Sequence, residues 1–386
     1  MKMNKNFQKL AVILFASVLS VTLFAVSASA EGAMPEGYGD FAEAVPDDAA
    51  KVLPDGIFSD DPDEVSRALL EAAEPANLLR AVLDWIGGGI GGALKLFVVL
   101  TGITVICAVG NAGEGIVSPG MSEAVSYAAG LGAVVTGAGL QFGKLSALSA
   151  YLGTLRTVML SLLPLMSALY LSGGNAGTAA LNNTTLVMWL DIIDTVLTGY
   201  VVPAVCVCTA LAAADIFTPA GMPGLSPVSS LIKRSIIFVL GLGGTLLAAA
   251  LSAQTVLTAA ADSVGARTVK FISGSMIPVV GGTVGDTLRT VASTVKIMKG
   301  TVGTAGIIVI GATVLPTLIS LWLTRFAYSS AAAVGEALGG KKEVKFMNEM
   351  ASLYGYLLAA TAICALLFVF ALTVFALTGT AVGDGL

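Results

Sequence analysis

Histidine is absent from this sequence of 386 residues, and cysteine occurs only four times. Zinc-dependent hydrolysis and most general acid–base catalysis use histidine, so the sequence predicts no such catalytic centre. The cysteines lie inside apolar runs without the spacing of metal ligands, at Cys107, Cys206, Cys208 and Cys364. We interpret them as buried small hydrophobic side chains that form no disulfide framework. We therefore expect no enzymatic activity, no cofactor and no metal site.

Charged residues are also scarce, at 12% of the sequence, and the mean hydropathy is +0.89. Soluble domains carry about a quarter charged residues. Several windows here run for roughly 20 residues with one charge or none, which is enough to cross about 30 Å of hydrocarbon. The sequence therefore predicts an all-α polytopic membrane protein. About seven transmembrane helices are expected, the fourth with a kink at Pro203, over Gly89–Val109, Ala124–Phe142, Tyr151–Leu171, Thr184–Ala214, Ile232–Leu257, Thr304–Phe326 and Leu353–Leu377.

The N-terminal part divides into two segments. Residues 1–30 have the pattern of a signal peptide, with three lysines before an apolar core and a cleavage site at Ala28–Ala30; an uncleaved first membrane helix is the alternative. Residues 31–87 hold fourteen acidic and three basic side chains. We expect them to form an acidic extracytoplasmic arm, irregular as far as Gly56 and helical after an N-cap at Asp60 or Asp61. Such an arm argues against a nucleic-acid partner, and residues 88–386 form the helical membrane domain.

The charge distribution gives conflicting indications about orientation. With an outer arm and seven crossings, the basic segment Arg267–Lys299 falls in the cytoplasm, as the positive-inside rule prefers. Lys233–Arg234 and the basic stretch Gly339–Lys345 then fall outside, against the same rule. The sequence therefore leaves the orientation of the membrane body open.

The stretch FISGSMIPVVGGTVGDTLRTVASTVK, Phe271–Lys296, is too broken for a spanning helix and too apolar for a water-exposed loop. Apolar residues from Leu288 to Met298 share one helix face, which predicts an amphipathic helix of about four turns over Asp286–Lys299. We expect a re-entrant or interfacial segment at about 270–299. Irregular backbone at membrane depth lines a wet cavity or is buried by protein, so a lining role and a structural hairpin both stay open. The candidate residues are Ser273, Gly274, Ser275, Pro278, Gly281, Gly282, Gly285, Asp286 and Arg289.

Four charged residues fall inside predicted spans: Lys95, Arg156, Asp191 and Asp194. Each ion costs at least about 2.5 kcal/mol at the bilayer centre, so we expect these side chains to face the bundle interior and to pair. Asp191 and Asp194 are three residues apart and share a helix face. Interhelical ion pairs that fix packing are one interpretation, and a polar lining or proton relay is the other.

Three motifs carry a resemblance to a known family: SPGMSEAVSYAAG (Ser118–Gly130), LSPVSSLIKRS (Leu225–Ser235) and VKFISGSMIPVVGGTVGDTLRTV (Val269–Val291). Together with the order of signal, acidic arm and multi-span body, they resemble the stage III sporulation protein AE family of spore-forming Firmicutes. The segment Val135–Gly199 matches no motif of that family, so the paired aspartates inherit no role from it.

The resemblance implies a function in endospore formation. It implies a permease-like component in the mother-cell membrane around the forespore, within a channel complex that sustains forespore development. The implied partners are the other stage III A proteins, a forespore-side protein and the lipid bilayer, and no catalytic residue is carried over. A stand-alone solute permease and a structural membrane anchor for other subunits are the alternatives.

Overall fold

The computed structural model describes residues 34–112, 119–173, 176–218, 224–246, 249, 281–340 and 342–377. The regular elements in these ranges are helices, without a strand, and six of them are long and apolar enough to cross a membrane. The predicted all-α polytopic class is confirmed. The arm contains α1 (Tyr38–Glu43), α2 (Asp47–Ala50), a 3-10 turn (Asp55–Phe58) and α3 (Pro62–Ala73). The body contains α4 (Pro75–Ala112), α5 (Pro119–Ser172), α6 (Ala176–Val196), a π-helical turn (Leu197–Val201), α7 (Val202–Ile216), α8 (Ser226–Leu246), α9 (Gly281–Ala337) and α10 (Lys342–Leu377).

Helix α5 takes the place of two predicted spans. It runs unbroken for 54 residues, through both Ala124–Phe142 and Tyr151–Leu171. At 1.5 Å per residue it is about 80 Å long, well beyond the hydrocarbon thickness of about 30 Å. The predicted connection between the two spans is helical, because the Lys144 ammonium donates to Ser320 Oγ on α9 and holds this stretch against the bundle. The prediction of two separate crossings here is wrong.

The fourth predicted span is one continuous helical run formed by α6, the π-helical turn and α7, and it is long and apolar enough to cross a membrane. The π-helical turn ends at Val201, two residues before Pro203. Proline has no backbone N–H and its ring collides with the carbonyl four residues earlier, and a π turn accommodates one inserted residue within a helix. The helix is therefore irregular at the place where the sequence predicts a kink.

Helix α9 contains the stretch predicted as a short amphipathic helix. It is 57 residues long, so Asp286–Lys299 forms its N-terminal part and continues without a break into the span predicted at Thr304–Phe326. The prediction of a separate four-turn helix is wrong, since Lys299 is fully buried in the bundle and does not end the helix. Residues 270–280 lie outside the described part of the chain, so their re-entrant path stays a prediction.

The arm is more ordered than its composition indicates. Asp61 is the N-cap of α3, because its side chain accepts the Asp63 N–H at 2.9 Å, as the sequence predicts. The region before Gly56, predicted to be irregular, instead contains α1 and α2. Apolar burial explains the difference: Tyr38 and Ile57 are buried in a small core, where the Tyr38 hydroxyl donates to the Ile57 carbonyl at 2.6 Å. Burial also raises the pKa of Tyr38.

Helices α9 and α10 form the central antiparallel pair of the bundle, joined by a turn in which Gly339 has the left-handed φ of 81°. Helix α4 lies along α9, and α5 contacts α4, α6, α9 and α10. Close approach requires glycine at Gly137, where a β-carbon would lie 2.9 Å from the Phe346 ring. Small residues of this kind let helix backbones approach in lipid.

The two ends of the bundle carry different parts of the chain. The arm packs against α9 through α2 and α3, and Leu53 of the arm lies with Ile307 of α9 around one cavity. At the opposite end, a β-carbon at Gly335 would lie 3.2 Å from Thr104 of α4. Helix α4 therefore runs parallel to α9, away from the arm and towards the α9–α10 turn.

Candidate functional site

Three predicted intramembrane charges come together between α5 and α6. The Arg156 guanidinium donates through Nη2 to Asp191 Oδ1, and its Nη1 lies 3.7 Å from Asp194 Oδ2. The two carboxylates are nearly one helical turn apart, so both reach the same arginine. The predicted pairing is confirmed for these residues, which we call the ion triad. Two carboxylates and one guanidinium give the triad a formal charge of −1.

The ion triad does not face the bundle interior as predicted. The side chains of Arg156, Asp191 and Asp194 are 40%, 56% and 36% exposed. All three residues lie in helices that are long and apolar enough to span a membrane. A charged cluster is not stable against hydrocarbon, so this face of the protein requires either water or another protein.

Lys95 departs further from the prediction. It lies on the exposed side of α4, beside Leu94 and near Val98, and both of these side chains are 59% exposed. No carboxylate of the described residues pairs with it. The expectation that Lys95 faces inward and pairs is therefore wrong, since α4 buries its opposite face, with Leu96 and Leu100, against the bundle.

Lys299, which the sequence places at the end of an amphipathic helix, instead lies in the core. Lys299 is completely buried, with its ammonium 4.0 Å from the centre of the Tyr170 ring and 6.0 Å from that of Phe375. An ammonium over an aromatic face is stabilised by the ring quadrupole, most strongly when desolvated. The sequence signal that could have revealed this is the alignment of Lys299 with the apolar stripe of Val295 and Val302.

Two further ion pairs lie together at the end opposite the arm. The Lys233 ammonium donates to Glu349 Oε2, which connects α8 to α10. Lys345 pairs with Asp215, whose carboxylate also accepts the Leu225 N–H at 2.8 Å. These contacts tie the connection between α7 and α8 to the start of α10, and sequence analysis did not identify them.

A polar seam runs along the contact between α5 and α9, and we define it by Gln141, Lys144, Ser320, Thr324 and Tyr328. Lys144 donates to Ser320, and a β-carbon at Gly137, one turn from Gln141, would lie 3.2 Å from the Tyr328 hydroxyl. Gln141 is 1% exposed, and neither polar atom of its amide has a hydrogen-bond partner among the described residues. A buried polar group without a hydrogen-bond partner costs free energy.

The remaining candidate residues lie at the N-terminal end of α9 or before it. Gly281, Gly282, Gly285, Asp286 and Arg289 occupy the first turns of this helix, and the side chains of Asp286 and Arg289 are outside the described part. Ser273, Gly274, Ser275 and Pro278 are outside it altogether. The lining role of these nine residues therefore stays a prediction.

The cysteines agree with their interpretation as packing residues. Cys107, Cys208 and Cys364 are buried, Cys206 is half-buried, and all four are free thiols. Among the described residues, no group of three or more cysteine, aspartate or glutamate side chains could hold a metal ion.

Comparisons with known proteins agree with the motifs. A family model described as stage III sporulation protein AE matches residues 69–379. The stage III sporulation protein AE of Bacillus subtilis (strain 168) is 28% identical over 226 residues, which cover 58% of this chain and 56% of that protein. The match thus spans little more than half the length of this relative. No solved structure matches the chain. The family match covers most of the sequence, and the chain belongs to the stage III sporulation protein AE family, with the role in sporulation that this membership implies.

Proposed function

We propose that this protein is a permease-like membrane subunit of the transport complex that the mother cell builds around the forespore. The other stage III A proteins and a forespore-side protein are its partners, and the protein itself performs no catalysis. Membership of the stage III sporulation protein AE family supports the sporulation context. Six apolar helices in the described part of the chain support a multi-pass location, which we assign to the mother-cell membrane surrounding the forespore.

The ion triad is the observation that carries this proposal. Arg156, Asp191 and Asp194 lie in spanning helices, yet each is more than a third exposed in the single chain. Hydrocarbon does not stabilise such a cluster. We infer that other subunits cover this face or that it lines a polar passage shared with them, and both arrangements belong to a complex.

The positions of the basic residues support an extracytoplasmic arm. The ion pairs Lys233–Glu349 and Lys345–Asp215 place these lysines, with the neighbouring Arg234, at the end of the bundle opposite the arm. Lysine and arginine are enriched on the cytoplasmic side of membrane proteins. The arm, with its excess of acidic residues, then lies outside the cytoplasm. Counting α5 as one crossing brings Lys233–Arg234 and Gly339–Lys345 into agreement with the positive-inside rule, whereas Arg267–Lys299 then falls on the side of the arm and counts against it.

The test combines Asp191→Asn and Asp194→Asn in a sporulating strain. Without the carboxylates, the Arg156 cation has no counter-ion, which costs at least about 2.5 kcal/mol in a membrane environment. This corresponds to roughly 70-fold in an assembly equilibrium. We expect heat-resistant spore counts to fall by a comparable factor while the protein level in the membrane stays normal.

The matched control is Asp48→Asn, which removes a carboxylate paired with Lys51 at 3.3 Å in the arm, where the Asp48 side chain is 94% exposed. This variant should sporulate normally, because exposed pairs contribute little. Normal spore counts in the double variant would overturn the role of the triad. A different result would support a stand-alone permease instead: the protein purifies from sporulating cells without partners, and the double variant changes only the uptake of a solute.

A further inference from the structure

A cavity of about 530 Å³ lies between the arm and the spanning helices. Its walls come from three sides: the arm segment Lys51–Pro54, the first turns of α4 as far as Trp85, and α9 over Ile307–Leu315 with Val369 of α10. The volume is within the range of small-molecule and cofactor sites, about 300–1,000 Å³. No family motif and no intramembrane charge described above belongs to this cavity.

The membrane side of the cavity is apolar and has room for a chain-like ligand. Ile307, Ile308 and Leu315 contribute from one side of α9. Gly311 lies at the centre of this wall, and a β-carbon placed there would meet no atom within 4 Å. All of these residues belong to the candidate span Ile297–Ala337. The wall is therefore built from a spanning helix at a position where hydrocarbon chains are the natural apolar ligand.

The arm side of the cavity carries charge of both signs. Lys51 and Arg80 supply two cations, and Glu71 and Asp84 supply two carboxylates. Lys51 pairs with Asp48 only through an exposed contact of 3.3 Å, and such pairs contribute at most about 1 kcal/mol, so its ammonium can exchange partners. Trp85 lines the cavity as well, and tryptophan is enriched where lipid chains meet the polar interface.

We propose that this cavity binds one zwitterionic phospholipid with a primary ammonium head group, of the phosphatidylethanolamine class. One acyl chain lies along Ile307–Leu315 of α9. The phosphodiester contacts Lys51 and Arg80, and the head-group ammonium contacts Glu71 and Asp84. The balance of two cations and two carboxylates distinguishes this lipid from an anionic one, which would leave both carboxylates opposed by negative charge. The bound lipid then fills the space between the arm and α9.

The test is native mass spectrometry of the full chain purified in mild detergent and supplied with equal amounts of phosphatidylethanolamine and phosphatidylglycerol. We expect one retained phosphatidylethanolamine per chain. Gly311→Leu places an aliphatic side chain in the cavity, where its β-carbon would meet no atom within 4 Å, and we expect it to weaken retention about tenfold, equivalent to about 1.4 kcal/mol. Gly102→Leu is the matched control, because Gly102 is exposed on α4 away from the cavity and is equally open.

A head-group variant completes the experiment. The double substitution Glu71→Gln and Asp84→Asn should shift the preference from phosphatidylethanolamine to phosphatidylglycerol, since only positive charge remains on the arm side. Gel filtration checks that every variant is folded. Equal retention by Gly311→Leu and the unaltered protein overturns the location of the site. Equal retention of the two lipids by the unaltered protein overturns the head-group assignment, and so does retention of neither lipid.

Discussion

The ion pair between Lys233 and Glu349 gives the sharpest stability prediction. The Lys233 side chain is 8% exposed and that of Glu349 is 26% exposed. The pair joins α8 to α10, and a second ion pair nearby, between Lys345 and Asp215, joins α10 to α7. Glu349→Gln removes the negative charge, keeps the shape of the side chain and leaves the buried ammonium without its counter-ion.

The cost follows from the burial of the lysine. Loss of one partner from a buried pair destabilises a protein by about 3–5 kcal/mol, because the remaining charge stays desolvated. The partial exposure of Glu349 places this pair at the lower end, about 3 kcal/mol. For a chain of this size we expect the melting temperature to fall by roughly 5 °C. Replacing both residues, with Lys233→Met and Glu349→Leu, should restore most of the loss because no charge remains buried.

Thermal unfolding in mild detergent, followed by size-exclusion chromatography with fluorescence detection, measures these effects. Glu336→Gln is the matched control: the Glu336 carboxylate lies on an exposed helix face and accepts an Asn348 side-chain N–H at 3.1 Å, so its loss should change the melting temperature little. Equal melting temperatures for Glu349→Gln and Glu336→Gln would refute the reasoning. Failure of the double substitution to recover stability would show that the pair contributes through geometry and not through compensation of charge.

Two predictions concern the contact between α5 and α9–α10. We expect Gly137→Ala to destabilise the protein by about 1–3 kcal/mol through overpacking, since the new methyl group would lie 2.9 Å from the Phe346 ring. Gly139→Ala, on the same helix, should have little effect because a β-carbon there meets open space. Equal melting temperatures for the two variants would contradict the close approach at Gly137. We expect Gln141→Leu to raise the melting temperature or leave it unchanged, because its buried amide has no partner among the described residues. A loss above about 1 kcal/mol would show a hydrogen bond to that amide.

Pairing of charges was predictable from the sequence, but their orientation was not. Arg156 pairs with Asp191 and Asp194 as expected, because an ion within a spanning helix needs a partner. Whether such a group faces inward depends on which helices surround it, and periodicity in one helix does not contain that information. Lys95 shows the same limit, since its exposed position follows from the packing of α4 on only one side.

Polar residues near the ends of apolar runs were the main source of error in the helix boundaries. Lys144 resembles part of a connecting loop in sequence, yet it bonds to Ser320 within the bundle. Lys299 resembles the polar end of an amphipathic helix, yet it lies against the Tyr170 ring. In both cases a tertiary partner stabilises a charge that the local sequence assigns to water, so one predicted break in α5 and one in α9 do not exist.

Local signals were reliable where the cause of the structure was itself local. Asp61 caps α3 because an aspartate before proline can accept an N–H in the first turn. Pro203 disturbs its helix through its own ring. The order in the arm before Gly56 depended instead on contact between Tyr38 and Ile57, which are 19 residues apart in sequence, and no local pattern announces such a contact.

The π-helical turn Leu197–Val201 changes the directions in which side chains before and after it point from one continuous helix. Asp215 follows Asp194 by 21 residues, a spacing that would place the two about 60° apart around an uninterrupted α-helix. One inserted residue adds about 100° to that rotation and places them nearly on opposite sides. One helical run can therefore place acidic side chains on its exposed side, beside Arg156. On the other side, two turns beyond Cys208, Asp215 pairs with Lys345.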